Sequence, residues 1–587
     1  MSTAPPRTQQ AVQQAFALMQ SQRASEARDL LQQALRRAPN DPALNSAMAT
    51  AWMILGQFVQ AEFFARKALS AAPTNPDLLV TLANIQVQWS KPAEACETFT
   101  RALSASPEHL PSRLGRASAL RLLRRFTEAA ADARLALSLA PRDPDATVAL
   151  ADALQNLGRT DEAAEALEEA AREHPTSEAL MSFRAFALNY LSADPARVFE
   201  AHRAAGALIQ ARVAPMAPPP APAPTPARAP IRVGLVTPDL RRHSVAYFAE
   251  PLLRHHDRAA LDLTIYHTHA SEDDVTSRLK PLVSRWRSCF GKSNREIAAQ
   301  VRADGIDVLI EMSGYTRGNR LPLMALRAAR AQATWLGYPA TTGLTCVDAR
   351  LTDALADPPG AESLHTERPL RLPRCAWCYA PPEDSPEPAT PATHEPITFI
   401  SAAALPKLSR ETLTLWRDTL SATPSSRLIL KNRAFADASA RDDLAQRLAA
   451  LGLSPERVSL EPGQDAPREH LAALGRAHVA LDTFPYAGTT STCEALWMGV
   501  PVVSLVGASH VSRVGLSLLS AVGLGDLAVT SREEFVRVAS GLAQDRARLS
   551  SLRASLRATL LASPLGDGPA YARDFEAAVR ALAEGRA

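Results

Sequence analysis

The sequence lacks the features that mark membrane, secreted and nucleic-acid-binding proteins. No uninterrupted apolar run approaches the about 18–20 residues that a membrane-spanning helix needs. The six cysteines are too scattered for a disulfide framework, and the first ten residues lack the basic-then-apolar pattern of a secretory signal. The formal charge of +3 is close to balance, so nothing indicates nucleic acid or an anionic membrane as a partner. We therefore expect a cytoplasmic protein.

Several motifs of nucleotide and metal chemistry are also absent. There is no GxxxxGK[ST] phosphate loop, no GxGxxG after a predicted strand, and no carboxylate pair of the DxD kind at a strand end. Cys375 and Cys378 form a lone CxxC without a second pair or a nearby histidine cluster, which favours packing over a metal or redox role. These absences make the two common nucleotide-binding loops unlikely components of the site and favour chemistry without a metal.

The N-terminal part of the chain contains an internal repeat with a period of 34 residues. Prolines end the second helix of each repeat, and two columns of alanine let the helices approach closely. The positions are Pro39, Pro73, Pro107, Pro141 and Pro175, with Ala27, Ala61, Ala95, Ala129, Ala163, Ala34, Ala68, Ala102, Ala136 and Ala170. The turn position is glycine in Gly56 and Gly158 but not in Ser90 and Arg124. The pattern resembles the tetratricopeptide repeat and predicts an α superhelix over 1–178 whose concave face binds protein; a spacer without cargo is the alternative.

Composition and pattern divide the rest of the chain. The length and a hydrophobic content of 46% suit about three or four globular domains. Connecting helices and a semi-rigid Pro/Ala linker are predicted over residues 179–230. Strands then alternate with helices over 231–395 and, after a Pro/acidic linker at 379–396, over 396–587. We predict two Rossmann-like α/β lobes facing each other across a cleft, with the last helix packed back across them.

The most informative stretch runs from His478 to Val506, HVALDTFPYAGTTSTCEALWMGVPVVSLV. An apolar run, a small-residue turn, a helix over 492–498 and a second apolar run predict a βαβ unit. A helix that begins at such a turn presents free N–H groups and the positive end of its dipole to a phosphate. The groups expected to bind the anion and an attached ribose are those of Gly488, Thr489, Thr490, Ser491 and Glu494. A structural corner without a ligand is the alternative.

The segment DTFPYxGTTSTCEALWMGVPVV resembles the donor-binding segment of the O-linked N-acetylglucosamine transferases of glycosyltransferase family 41, in their bacterial, repeat-bearing branch. The resemblance covers nearly the whole chain and is strongest at 231–250, 311–360 and 470–520. It implies lobes in the GT-B arrangement and an inverting, metal-independent glycosyltransferase that uses no cofactor. Such an enzyme would move N-acetylglucosamine from UDP-GlcNAc to Ser or Thr hydroxyls of proteins held by the repeat groove.

The resemblance also implies catalytic residues. Lys407 follows the predicted strand at 397–401 and would contact the diphosphate and offset its charge. His243 would lie beside the donor and the acceptor and is a candidate base; Asp239 and a phosphate oxygen are the other candidates. The sequence departs from the family at two places. Alanine occupies residues 402–404, where the family usually carries Asn or Gln, and Ala487 stands where Asn is usual. We expect the alanine run to remove one side-chain contact to the donor, which affects rate or donor preference, and Ala487 to weaken donor binding without abolishing it.

Further residues are implied to bind the donor or support the site. His470 would contact the uracil, with Arg468 close by. The sugar pocket would be lined by the WLGYP loop, Leu336, Gly337, Tyr338 and Pro339. His510 and Arg513 lie beyond the next strand and would brace the site, with a purely structural role as the alternative, and His202 is a candidate on the acceptor side.

Other functions remain open at this point. Relatives of the same fold transfer fucose to Ser or Thr, or glucose to Asn, and the alanine run at 402–404 is compatible with both. A repeat scaffold whose transferase lobes have decayed is the alternative from another class, although Lys407, His243, His470 and Glu494 are retained. A homodimer is compatible with the sequence.

Overall fold

The computed structural model of the chain describes residues 6–191, 194–214, 230–389 and 396–586. The chain divides into two compact units, one of residues 1–154 with 289–297 and one of residues 155–288 with 298–587. Most of the predicted Pro/Ala linker, and residues 390–395 of the second predicted linker, lie outside the described residues. None of the described helices has the length and hydrophobicity needed to cross a membrane.

The repeat region is helical throughout its described part, as predicted. Its helices are α1 (Pro6–Gln20), α2 (Ala24–Arg37), α3 (Pro42–Ile54), α4 (Phe58–Ala71), α5 (Pro76–Gln88), α6 (Pro92–Ala105), α7 (Leu110–Leu122), α8 (Phe126–Leu139), α9 (Pro144–Asn156), α10 (Thr160–Glu173), α11 (Glu178–Leu191) and α12 (Pro195–Val213). Ala61 and Ala95 have no exposed surface, as close helix crossings require. Ser90 and Arg124 adopt left-handed backbone conformations (φ 59° and 62°) like that of Gly56 (φ 71°), so the two turns without glycine keep the repeat geometry.

The second unit contains two sheets, and the first has seven parallel strands in the order β3-β2-β1-β4-β5-β6-β7. The strands are β1 (Ile231–Thr237), β2 (Leu261–His267), β3 (Arg285–Ser288), β4 (Val308–Glu311), β5 (Ala331–Thr334), β6 (Ala349–Asp353) and β7 (Arg368–Leu372); the helices are α13 (Ser244–His255), α14 (Asp274–Leu279), α15 (Asn294–Ala303) and α16 (Leu321–Ala325). The alternation of strands and helices predicted over 231–395 is confirmed. β3, β6 and β7 escaped prediction because their arginine-rich sequences contain no apolar run.

The second sheet has six parallel strands in the order β10-β9-β8-β11-β12-β13. The strands are β8 (Thr398–Ser401), β9 (Arg427–Asn432), β10 (Val458–Pro462), β11 (Val479–Leu481), β12 (Val502–Leu505) and β13 (Ala528–Val529). The helices are α17 (Arg410–Ala422), α18 (Ala438–Ala450), α19 (Pro467–Leu474), α20 (Thr490–Trp497), α21 (Val514–Ala521), α22 (Arg532–Gln544), α23 (Arg546–Ala562) and α24 (Gly568–Ala583). The helix predicted over 492–498 begins two residues earlier, at Thr490. The predicted pair of doubly wound α/β lobes is therefore confirmed.

The last helix, α24, packs on the first lobe although it follows the second in the chain. Tyr571, Phe575 and Val579 belong to the same buried core as the strands of the first sheet. The Trp335 indole N–H donates to the Tyr571 hydroxyl (3.1 Å), and the Trp335 and Phe575 rings lie 4.8 Å apart. The C-terminal helix thus joins the two lobes through apolar burial.

Candidate active site

A cleft of ≈ 650 Å³ opens at the carboxyl ends of strands from both sheets. The strand order reverses between β1 and β4 in the first sheet and between β8 and β11 in the second, and a crevice forms where the loops after such strands diverge. The volume lies in the range of about 300–1,000 Å³ that ligand pockets occupy. The predicted site residues that line it are His243, Leu336, Gly337, Tyr338, Pro339, Lys407, His470, Thr489, Thr490, Ser491 and Glu494.

The turn after β11 is held by a buried carboxylate. Asp482 Oδ1 accepts hydrogen bonds from the N–H of Gly488 (2.7 Å) and of Thr483 (2.8 Å), and its Oδ2 accepts one from the Ser504 hydroxyl (2.7 Å). A Cβ at Gly488 would lie 2.5 Å from Ser491 Oγ, so only glycine fits the turn without movement. The N–H of Gly488 is thus already taken by the protein. The groups that the turn offers to a ligand are those of residues 489–491, at the start of α20.

Lys407 lies directly beside this turn, as the sequence predicted. Its ammonium group donates to the Ala487 carbonyl (2.9 Å) and lies 4.0 Å from the centre of the Tyr486 ring. Removal of water from the ammonium group lowers the pKa of Lys407 to about 8, and the nearby Asp482 carboxylate opposes this effect. Lys407 therefore stays mostly charged at neutral pH and places a cation beside the start of α20.

A second lysine, which the sequence reasoning missed, holds the predicted uracil-binding histidine. Lys431, at the end of β9, contacts His470 Nδ1 (2.8 Å) and donates to the His470 carbonyl (3.1 Å). The Nε2 atom of His470 lies 3.1 Å from a carboxylate oxygen of Glu494. Burial lowers the pKa of Lys431 to about 8, while Glu494 opposes the shift. In the sequence, the position of Lys431 near the end of a mainly apolar strand was the only indication of a functional role. Its partner His470 lies on a separate helix, so no local pattern connects the two residues.

His243 and Asp239 lie together at the end of β1. Their nearest side-chain atoms, His243 Nδ1 and Asp239 Oδ1, are 3.7 Å apart. The Val245 N–H donates to His243 Nδ1 (3.3 Å), so the neutral ring carries its hydrogen on Nε2. Burial lowers the pKa of His243, against the effect of Asp239, and raises the pKa of Asp239. His243 lines the cleft, whereas Asp239 lies behind it.

The WLGYP loop is fixed in place by hydrogen bonds from two directions. A Cβ at Gly337 would lie 1.9 Å from the Met312 carbonyl, which explains the glycine. The Tyr338 hydroxyl donates to His202 Nε2 (2.7 Å) and accepts from the Asn189 amide (2.9 Å). His202 Nδ1 in turn donates to a main-chain carbonyl, and burial lowers the pKa of His202 to about 4. His202 thus holds Tyr338 and does not line the cleft.

His510 is braced by a buried carboxylate. Its Nδ1 lies 2.8 Å from Asp357 Oδ2, and Asp357 also accepts from His365 Nε2 (3.1 Å). Burial would raise the pKa of Asp357, but His510, His365 and Arg350 outweigh it and hold that pKa well below its usual range. Because a carboxylate only accepts, His510 Nδ1 donates and the neutral ring keeps a lone pair on Nε2. His510 lines the cleft, and burial lowers its pKa.

Other predicted residues lie outside the lining. Arg468 donates to the Asp384 carbonyl (3.1 Å), and Arg513 to the carbonyls of Leu355 (2.8 Å) and Gly507 (3.2 Å). The sequence reasoning missed several lining residues, namely Arg242, Tyr247, Phe248, Trp377, Asn432, Arg433 and Gln464. Tyr247 and Phe248 lie on α13 and Asn432 ends β9, while the others lie between regular strands and helices, and none carries a motif of its own. Among the residues that the structure describes, no group of three or more His, Cys, Asp and Glu side chains is arranged to hold a metal ion.

Comparison with known proteins agrees with this architecture. The family model described as glycosyl transferase family 41 matches residues 210–376 and 391–575, and tetratricopeptide repeat models match 12–76, 80–146 and 120–185. The chain is similar to probable UDP-N-acetylglucosamine–peptide N-acetylglucosaminyltransferases named SPINDLY. It is 38% identical to the Oryza sativa subsp. japonica protein, in a match that covers 71% of this chain and 45% of that protein. It is also 38% identical to the Arabidopsis thaliana protein, in a match that covers 69% of this chain and 45% of that protein. It thus spans about half the length of these relatives.

A solved structure is similar to most of the chain. A mutant O-GlcNAc transferase of Thermobaculum terrenum matches with a TM-score of 0.78 and 31% identity over 87% of this chain and 98% of that chain. The two parallel-sheet lobes are therefore in the GT-B arrangement, as predicted. The family model covers more than half of the sequence, and this chain belongs to glycosyltransferase family 41.

Proposed function

We propose that this chain transfers N-acetylglucosamine from UDP-GlcNAc to Ser or Thr hydroxyls of proteins. The observation that carries the proposal is the meeting of the Lys407 ammonium, the start of α20 and His243 at one cleft. The names of the similar SPINDLY proteins and of the Thermobaculum enzyme support the donor. The tetratricopeptide helices support a protein acceptor, because such arrays present extended binding surfaces. A homodimer remains a prediction.

The proposed reaction is an inverting displacement. The acceptor oxygen forms a bond to the anomeric carbon while the bond from that carbon to the diphosphate oxygen breaks on the opposite face. Lys407 and the N–H and hydroxyl groups of Thr490 and Ser491 would stabilise the charge on the leaving UDP. Lys431 adds a second positive charge near the nucleotide end of the cleft. We propose a metal-independent reaction because these lysines supply the positive charge that the diphosphate needs.

The acceptor hydroxyl must also lose its proton. His243 carries its hydrogen on Nε2 in the neutral form, which suits it to donate a hydrogen bond to an oxygen of the donor. His510 keeps a lone pair on Nε2 and has Asp357 behind it to stabilise the imidazolium, which suits it to accept the proton. Asp239, whose pKa is raised by burial, stands behind His243 and is the alternative acceptor.

A thermal-shift panel followed by a product assay tests the proposal. UDP and UDP-GlcNAc at ~100 times Kd should stabilise the full chain by ~2.7 kcal/mol, and UDP should be released when a lysate protein fraction is added. Mass spectrometry of the acceptors should then show a HexNAc on Ser or Thr. Absence of both nucleotide binding and transfer would overturn the proposal.

A second donor is the other candidate. Ala402, Ala403 and Ala404 line the cleft, so the wall after β8 offers only small side chains where the family carries Asn or Gln. These alanines leave the donor without a side-chain hydrogen bond at this wall, and GDP-fucose and UDP-glucose therefore belong in the same panel. Stabilisation by GDP-fucose but not by UDP-GlcNAc would replace the donor. Nucleotide binding without transfer from any donor would instead support a decayed scaffold.

A further inference from the structure

Helix α11, which precedes both lobes in the chain, contacts a cleft-lining loop of each lobe. The Tyr190 ring stacks on that of Tyr486 with centres 4.7 Å apart and planes at 17°. One turn earlier, the Phe186 ring stacks on that of Tyr338 (6.5 Å, 20°), and the Asn189 amide donates to the Tyr338 hydroxyl (2.9 Å). Tyr486 belongs to the turn after β11, and Tyr338 belongs to the WLGYP loop after β5.

The contact with Tyr486 leads directly to the lysine of the site. The Lys407 ammonium lies 4.0 Å from the centre of the Tyr486 ring and donates to the carbonyl of the next residue, Ala487. A stacked ring and an ammonium group cannot share one face of a phenol, so Tyr486 is held between Tyr190 and Lys407. Both kinds of contact are attractive in proteins, so each helps to fix the position of the Tyr486 ring.

We propose that Phe186, Asn189 and Tyr190, here called the α11 brace, form a positioning element of the donor site, in which Tyr190 holds Tyr486 and Tyr486 holds Lys407. The inference rests on the proposed function, since it assigns the brace to the lysine that would face the leaving diphosphate. The donor site of the two lobes would then depend on α11, a helix that precedes both lobes in the chain. Tyr190 itself does not line the cleft, so it would act through Tyr486, which does.

The brace also covers the Tyr486 phenol that packs against the lysine. The titratable groups that face Lys407 are Asp482, from the end of β11, and the phenol of Tyr486; Tyr190 covers that phenol from α11. Burial raises the pKa of both phenols, so the Asp482 carboxylate is the charged neighbour of Lys407. Removing the Tyr190 ring would admit water beside the ammonium group without changing any charge around it.

The test uses the full chain and Tyr190→Ala, with Tyr190→Phe as the conservative variant. In wild type, kcat/KM for the donor should fall as pH rises through about 8, because Lys407 loses its proton. In Tyr190→Ala this fall should move to higher pH by about one pH unit, because water restores the charged form. The Kd for UDP, measured by calorimetry at pH 7, should rise about threefold to tenfold. Tyr190→Phe should match wild type in both measurements.

Two further variants separate positioning from packing. Phe183→Ala removes a ring from the same helix that packs on Phe186 (6.2 Å), and it should lower Tm without moving the pH dependence. Tyr190→Leu keeps an apolar side chain in case the alanine variant does not fold, and because leucine lacks the flat ring that covers the Tyr486 phenol, its pH shift should be smaller but in the same direction.

Two results would count against the inference in different ways. An unmoved pH profile in Tyr190→Ala and Tyr190→Leu, or an equal shift in Phe183→Ala, would overturn the brace while leaving the transferase intact. A wild-type chain that neither binds UDP nor transfers sugar would overturn the proposed function and the brace together.

Discussion

Replacement of Lys407 by methionine tests the central element of the site. The ammonium group sits against the Ala487 carbonyl and the Tyr486 ring, beside the open start of α20. Loss of one preorganised group that stabilises developing charge costs about 10²–10³ in kcat. We expect Lys407→Met to lose that factor in UDP release from the sugar donor, with a smaller change in the Kd for UDP.

The fold should tolerate this substitution. The lowering of the Lys407 pKa from 10.5 to about 8 corresponds to a net cost of about 3 kcal/mol for keeping the ammonium group charged in the folded state, and solvent at this half-buried side chain reduces that cost. The contacts that are lost are worth about 2–4 kcal/mol. The two contributions nearly cancel, so Tm should stay within a few degrees of wild type.

The pH dependence supplies an independent check. The folded state lowers the pKa of Lys407 below its unfolded value of 10.5, so between pH of about 8 and 10.5 the unfolded chain binds more protons at this residue. Wild type should therefore gain stability relative to Lys407→Met as pH rises through this window, while its activity falls because the ammonium charge is lost. Urea denaturation at pH 7 and 10 measures the first effect, and donor kcat/KM measures the second.

Lys91→Met is a matched control, because the Lys91 ammonium also lies over an aromatic ring, that of Trp89, at 3.6 Å. This residue lies in the turn between α5 and α6 of the repeats and does not line the cleft. The control should keep full activity. Activity of Lys407→Met within threefold of wild type, or a loss matched by Lys91→Met, would refute the reasoning.

Three further substitutions probe the surroundings of the cleft. Gly488→Ala would place a Cβ 2.5 Å from Ser491 Oγ, so it should lower stability in urea by about 1–3 kcal/mol and raise the Kd for UDP; an unchanged Kd contradicts the proposed turn. Asp357→Asn removes the carboxylate of a buried ion-pair network, so it should lower the free energy of unfolding, measured in urea, by about 3–5 kcal/mol. A decrease below about 1 kcal/mol would argue against the network. Lys431→Met removes a cation that holds His470, so donor KM should rise about tenfold while kcat stays nearly constant; the reverse pattern would place Lys431 at the reacting centre.

Much of the architecture was accessible from local sequence patterns. The 34-residue spacing predicted the helix pairs because each repeat encodes its own helices and turn within a short window. The apolar runs of β1, β2 and β8 to β12 predicted parallel strands, since strands buried on both faces read as hydrophobic runs. The polar strands β3, β6 and β7 could not be found this way, as their pairing depends on neighbours that only the folded sheet provides.

The candidate site divides in the same manner. The turn at residues 488–491 and the position of Lys407 followed from sequence because both lie at the ends of strands whose carboxyl termini must share one sheet edge. The tertiary structure alone decided the partners: Asp482 takes the Gly488 N–H, and Lys431 holds His470. These partners lie on different loops and helices, and no local pattern records which side chains meet when separate segments pack.

The sequence by itself therefore determined the repeat array, the two α/β lobes and the turn at which an anion would bind, because backbone hydrogen bonding and hydrophobic periodicity act over neighbouring residues. Only the tertiary structure decided that His202 supports Tyr338 instead of lining the cleft, and that Tyr190 reaches Tyr486. Such contacts depend on distances between elements that are far apart in the chain, and these distances are set when the whole core closes.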